Sequence, residues 1–370
     1  MLTNVKCLDF SRVLAGPLAS MILGDLGADI IKVERPGTGD ETRGWGPPFD
    51  ERGEAAYYMS VNRNKKSIAL DLSQPADAEV ARDLARGADI VLDNFRPGAL
   101  ERFGIDPEEL LADNPKLIWC TITGFGEESN RAGYDLVIQA ECGWMSITGE
   151  PEGDPMKVGV ALADVIAGKD AAIAMLAALA RRALSRDAIP AAERRIFISL
   201  AASAAASLVN VAQNTLVTGQ DAKRWGNQHP NLVPYQLFHA ADRPVVIAVG
   251  SDAQWKAFAS AVGLANLSAD ESLDTNAGRL AQRERVVSSI AGELSKRGAT
   301  EVIAVLDSVG VPCGVVKTVR ETLRDTSSSA VTGVSPSVPG TVRLAPPMLD
   351  EHGPGIRERG WDVFQSVGNR

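Results

Sequence analysis

Apolar and polar positions alternate in short runs through the first third of the chain, separated by stretches of helical spacing. Val5 to Phe10 (VKCLDF) reads as a strand, Gly16-Pro17 as a tight turn, Leu18 to Leu26 as a helix and Asp29 to Glu34 (DIIKVE) as a second strand. Strand, helix, strand is a βαβ unit, and its crossover implies a parallel sheet. The alternation continues with NRNKKSIALDL from Asn62, a helix Ala76 to Arg86, the strand ADIVLDNF and a strand around Lys116 to Thr123. One doubly wound, Rossmann-like sheet is therefore predicted for at least the first half. Gly37 to Gly53, rich in Gly, Pro and charge, reads as an irregular excursion over the surface.

In the second half, Ala171 to Leu184 reads as a buried or half-buried helix and Ala201 to Thr218 as a strand-to-helix run. Its small residues Ala201 to Ala206 allow close helix contact, or simply form helix well. A smaller α/β domain follows: PYQLFHA, a strand Pro244 to Val249, a helix Asp252 to Val262, an amphipathic helix Ala281 to Arg297 and the buried strand GVPCGVV. Asp325 to Gly340 is rich in Ser, Gly and Pro and reads as a linker. The expected organisation is a large domain 1–200, a helical linker 201–224, a small α/β domain 225–324, a linker 325–340 and a return to the large domain over 341–370.

Composition narrows the function. With 45% hydrophobic and 23% charged residues among 370, the chain is an ordinary globular one. A net charge of -9 argues against a nucleic-acid partner, which requires a basic surplus. Lys65, Lys66, Arg96 and Arg102 nonetheless fall around predicted strand ends, and that local excess suits a ligand with several phosphates. Arg35, after the second strand, can pair with phosphate or be a solvated surface residue; Phe95 can lie against a flat ring or be core. The turn AGP replaces GxGxxG, so no nicotinamide or flavin cofactor is expected. Four isolated cysteines and three histidines offer no metal site and no Ser-His-Asp triad. The N-terminus has no basic n-region or cleavage site and no long apolar run exists, so the expectation is a reduced, cytoplasmic protein without a membrane partner.

One stretch stands apart. In GVALADVIAG, Gly159 to Gly168, a single carboxylate, Asp164, sits among small and apolar residues at the start of a helix. It is either a common N-cap or an acid held for chemistry in a site that favours an anion.

DFSRVLAGPLASMILGDLGADIIKVERPGTGDETR, NKKSIALDL, DNFRPGALERFG, GYDLVIQAECGWMSITG, VGVALADVIAG, RWGNQHPNLVPYQLF and APPMLDEHG, in this order, resemble the family III CoA-transferases, which include formyl-CoA and carnitine CoA-transferases and, as a divergent branch, 2-methylacyl-CoA racemases. The resemblance implies a Rossmann-like large domain plus a smaller α/β domain in an interlocked homodimer. It implies coenzyme A as the acyl-CoA substrate, a carboxylic acid acceptor, no metal and no nucleotide cofactor. It implies Asp164 as nucleophile of a ping-pong reaction through an aspartyl anhydride and an aspartyl-CoA thioester, and carries CoA binding over to Val13, Arg35, Leu70, Asn94, Phe95 and Arg102. Substrate-pocket positions fall on Leu14, where formyl-CoA transferase has Gln, on Tyr134, and on Gly250 and Ser251, where some relatives carry consecutive glycines. In the racemase branch GHD stands where Gly133-Tyr134-Asp135 stands here. A phenol of ordinary pKa, about 10, is a poor base at neutral pH, so transferase is preferred to racemase or epimerase. A non-catalytic CoA-binding protein is the other alternative.

Overall fold

The computed structural model describes residues 1–365. Its contacts divide into two units, Met1–Trp144 with Lys157–Gln220 and the segment from Thr326 onward, and Met145–Met156 with Asp221–Asp325.

The first unit is built on a six-stranded, wholly parallel sheet of order β3-β2-β1-β4-β5-β6. The strands are β1 (Lys6–Asp9), β2 (Asp29–Glu34), β3 (Lys65–Ala69), β4 (Ile90–Asp93), β5 (Ile118–Thr123) and β6 (Arg195–Ser199). Side chains alternate across it, as a strand requires. Cys7, Ile30, Ile90, Leu92, Ile118 and Cys120 face a layer formed by α1 (Ala15–Asp25) and, further along the chain, the 23-residue helix Leu162–Leu184. Leu8, Ile31, Val33, Ile68, Val91 and Trp119 face α2 (Pro75–Arg86), α3 (Pro107–Asp113) and the returning C-terminal residues Ile356 and Trp361. With α4 (Asp135–Glu141) inserted before it, the long helix is α5; α6 (Leu200–Ala206) and α7 (Val209–Thr218) follow in the same unit.

Several local expectations need correction. The AGP segment is no turn outside the helix but the first turn of α1, where a proline loses no intrahelical bond. Gly16 is required there, because a Cβ would lie 2.3 Å from Ser11 Cβ. The excursion 37–53 is not simply superficial: Asp40 and Thr42 are buried, with Lys32 Nζ 3.0 Å from Asp40 Oδ2, and Arg43 bridges Glu34 and Glu54 at 2.8 and 2.7 Å. Asp325 to Gly340 is likewise tied down. Ser328–Ser329 pairs antiparallel with Gly333–Val334, Arg63 donates to the carbonyls of Thr332 and Val334, and the Thr341 N–H donates to Asp25 O at 2.9 Å. The end of the expected return, 366–370, lies outside the described residues.

The second unit holds an antiparallel sheet β7 (Tyr235–His239), β8 (Pro244–Ala248) and β9 (Cys313–Val315) covered by α8 (Asp252–Ala261), α9 (Arg283–Leu294) and α10 (Ala299–Ser308). The helix predicted over Ala281 to Arg297 is broken at Gln282, whose ψ of 29° leaves the helical region and starts α9 afresh. A last helix, α11 (Gly353–Arg359), belongs to the first unit.

Candidate active site

The strand order reverses between β1 and β4, so the loops leaving their C-terminal ends diverge and open a crevice, the usual ligand position in such sheets. Asn94, just after β4, clasps the opposite loop: its Oδ1 accepts the Arg12 N–H at 2.9 Å and its Nδ2 donates to Arg12 O at 2.7 Å. Val13 follows with φ 70°, a left-handed conformation that a β-branched residue adopts only when its surroundings impose it. Asp40 supplies that constraint, accepting the Val13 N–H at 3.2 Å through each oxygen, while Lys32 Nζ donates to Ser11 O at 2.7 Å and to Asp40. Burial opposes ionisation of Asp40, but the charge of Lys32 and the bonds from Thr42 hold its carboxyl below the usual range.

Asp164 is the third residue of α5, not its N-cap, so the capping role read from the sequence falls elsewhere. The Ala161 side chain offers no cap, and the carboxylate that does the work comes from Asp135 of α4: its Oδ1 accepts the N–H groups of Ala163 at 2.8 Å and Asp164 at 3.4 Å, and its Oδ2 is fixed by Gln139 at 2.7 Å. The Asp164 side chain is thereby left free, and among the described residues nothing hydrogen-bonds its carboxylate. It is 8% exposed and lines a cavity of about 230 Å³ with Leu14, Ala15, Ile122, Gly133 and Tyr134. Burial, and then the charge of Asp135, push its pKa up to about 7. A desolvated carboxylate that is partly ionised at neutral pH and spends none of its lone pairs on the protein is equipped to attack an electrophile.

Two close backbone approaches set this chamber. A Cβ on Gly168, one turn along α5 from Asp164, would lie 2.5 Å from Ala15 O, so α5 rests directly on the start of α1. A Cβ on Gly133 would lie 2.5 Å from Gly124 Cα, and this crossing carries Tyr134 to the chamber wall, 53% exposed.

A second cavity of about 490 Å³ adjoins the first and shares Arg12, Glu41 and Phe95 with it. Arg35 stands exposed at its wall and Leu70 is buried beneath. The Arg12 guanidinium lies 5.0 Å from the Phe95 ring centroid and 3.2 Å from Glu41. Val13, Leu14, Asn94, Phe95, Tyr134 and Asp164 thus meet around the chamber, and Arg35 and Leu70 around its neighbour. Arg102 is exposed on the turn Glu101–Phe103 and lines neither cavity. Lys65 and Lys66 start β3, at the far end of the sheet from the crevice, and face opposite ways. Lys65 is buried against Asp9 at 3.1 Å, and Lys66 donates to Val363 O. Gly250 and Ser251 belong to the second unit, where the Ser251 hydroxyl caps α8 by accepting the Gln254 N–H.

Sequence reasoning missed Arg12, Asp40 and Asp135. Arg12 had a signal, a cation between the first strand and its helix; Asp135 was noticed only as part of Gly133-Tyr134-Asp135, and its capping role had no signal because the Ala163 N–H it accepts lies 28 residues further on. Among the described residues no cluster of His, Cys, Asp or Glu is arranged to hold a metal ion.

Residues 2–352 match the model of CoA-transferase family III. The chain is 40% identical over 332 residues to the succinate–glutarate CoA-transferase of Agrobacterium fabrum, covering 88% of this chain and 82% of that protein. It is 38% identical over 324 residues to human succinyl-CoA:glutarate CoA-transferase, covering 86% and 72% respectively. The crystal structure of a CAIB/BAIF family protein from Brucella suis superposes with a TM-score of 0.86 at 37% identity, covering 96% of this chain and 98% of that one.

Proposed function

The chain belongs to CoA-transferase family III, and from that premise we propose that it transfers CoA between short dicarboxylic acids, with Asp164 carrying the acyl group. The diacid class is supported by the relatives named for succinate and glutarate. The observation that carries the mechanism is the desolvated, unbonded Asp164 carboxylate in the chamber beside the switch-point crevice.

Asp164 attacks the thioester carbonyl of the donor; the C–S bond breaks and the CoA thiolate leaves a mixed aspartyl anhydride. The thiolate then attacks the aspartyl carbonyl, frees the donor acid and leaves an aspartyl-CoA thioester. The acceptor carboxylate displaces the thiolate to form a new anhydride, and the thiolate attacks the acceptor's carbonyl, releasing acyl-CoA and restoring Asp164. No net proton is consumed, so the reaction needs no second base of the kind that racemisation requires. Each tetrahedral oxyanion needs donors in place, and the uncapped first turn of α1 at Leu14 and Ala15 supplies N–H groups at the chamber wall. Arg12 and Arg35 fit the CoA phosphates, with Val13, Leu70 and Phe95 beside the adenine. Exposed Val209, Leu216 and Val217 on α7 support a homodimer that covers them.

With succinyl-CoA and no acceptor, hydroxylamine should trap a hydroxamate that peptide mapping places on Asp164. A trapped acyl group on another residue, or none in an enzyme that turns over, would refute the proposal. Because the nucleophile must be ionised, kcat/KM should fall tenfold per pH unit below about 7 and level off above it. Asp135→Asn removes one of the two causes of the raised pKa, so this acid limb should move to lower pH.

A further inference from the structure

We propose that Arg131 receives the distal carboxylate of the substrate and so sets a preference for diacids over monoacids; this rests on the Asp164 chamber being the transfer site. Three cations line that chamber, Arg12, Arg96 and Arg131. Arg12 is held by Glu41 and Phe95 and also lines the neighbouring cavity where the CoA phosphates fit. Arg96 is shared with a separate cavity of about 180 Å³ on its other side. Arg131 lines the chamber and neither neighbour.

Its geometry suits a carboxylate. The guanidinium is stacked on Phe125, 4.0 Å from the ring centroid, which fixes its plane. It presents Nη1 and Nη2 together to Glu141, at 3.0 and 2.5 Å. That is the two-pronged contact a planar guanidinium makes with any carboxylate. The two side chains are 58% and 45% exposed, so water already competes for the pair, and a substrate carboxylate can replace Glu141 at little loss. While the proximal carboxyl reacts at Asp164, apolar wall residues such as Leu14 and Ile122 accommodate the methylenes. A monoacid gives the guanidinium nothing to bind.

The test measures kcat/KM for glutarate and for butyrate as acceptors from one acyl-CoA donor. In Arg131→Gln the glutarate-to-butyrate preference should fall roughly tenfold or more, through KM. Arg131→Lys, which keeps the charge but loses the fork, should recover part of it. Glu141→Gln, which removes the competing carboxylate, should lower KM for glutarate. An unchanged preference in Arg131→Gln, a preference that collapses in Arg96→Gln instead, or a raised glutarate KM in Glu141→Gln overturns the role of Arg131 alone. A wild-type enzyme that takes butyrate as readily as glutarate overturns the diacid reading itself.

Discussion

Asp164→Asn is expected to abolish transfer and, above neutral pH, to make the protein more stable. Loss of the nucleophile removes the covalent route altogether, so kcat should fall by roughly 10⁴-fold or more, as for other enzymes stripped of their nucleophile. CoA binding should survive, because Arg35 and Leu70, proposed to meet the phosphates and the adenine, line the neighbouring cavity and not the Asp164 chamber. The stability gain follows from burial. The carboxyl's pKa is raised from 3.8 to about 7 in the folded chain, chiefly by desolvation, so the folded state binds its proton more tightly than the unfolded one. Such a group contributes its full stability below about pH 4, loses it progressively as pH rises towards 7, and beyond that leaves the wild type destabilised by up to about 4 kcal/mol. The variant carries no such charge. Its melting temperature should therefore match the wild type near pH 4 and exceed it at about pH 8. Equal melting temperatures at both pH values would show that Asp164 is not desolvated, and normal turnover would end its role as acyl carrier.

The proposed role of Asp164, a carboxylate kept desolvated and unbonded, accords with the architecture around it. Asp135 spends one oxygen on the α5 N-terminus, leaving those of Asp164 unspent, and Asp40 with Asn94 holds the Arg12–Val13 loop in a conformation the backbone resists. Both arrangements join residues far apart in the chain, which is why neither was legible in the sequence. The sheet was legible, because alternation is local: β2 falls on the predicted residues, Asp29 to Glu34. Local reading also produced the errors. Lys65 and Lys66 are adjacent in sequence and so looked like one basic cluster, yet neighbours on a strand point to opposite faces. Arg102, which came from the resemblance and not from local reading, stands exposed on the turn Glu101–Phe103 and lines neither cavity. The glycine in AGP looked like a turn former and the one in DVIAG drew no reading, whereas Gly16 and Gly168 are where backbone meets backbone or side chain too closely for a Cβ.

This last point carries the second large effect. Alanine for glycine inside an exposed helix normally stabilises by about 1 kcal/mol, and Gly292→Ala on α9, where a Cβ meets nothing within 4 Å, should show that gain. Gly168→Ala should go the other way. Its Cβ would lie 2.5 Å from Ala15 O, a main-chain atom that has no rotamer to retreat into, so α5 and α1 must separate. Overpacking of this kind costs about 1–3 kcal/mol, enough to reverse the helix-propensity gain. The catalytic consequence should be larger than the structural one. Asp164 is one turn from Gly168 on the same helix, and Leu14 and Ala15 lie at the start of α1, so moving the helices apart would shift the proposed nucleophile relative to the chamber wall that α1 provides. Misplacement by about an ångström can lower a rate by roughly 10²-fold, and kcat should fall by that order while KM for the acyl-CoA changes little. Activity kept at the wild-type level in a folded Gly168→Ala enzyme would mean that the contact between α1 and α5 does not position Asp164.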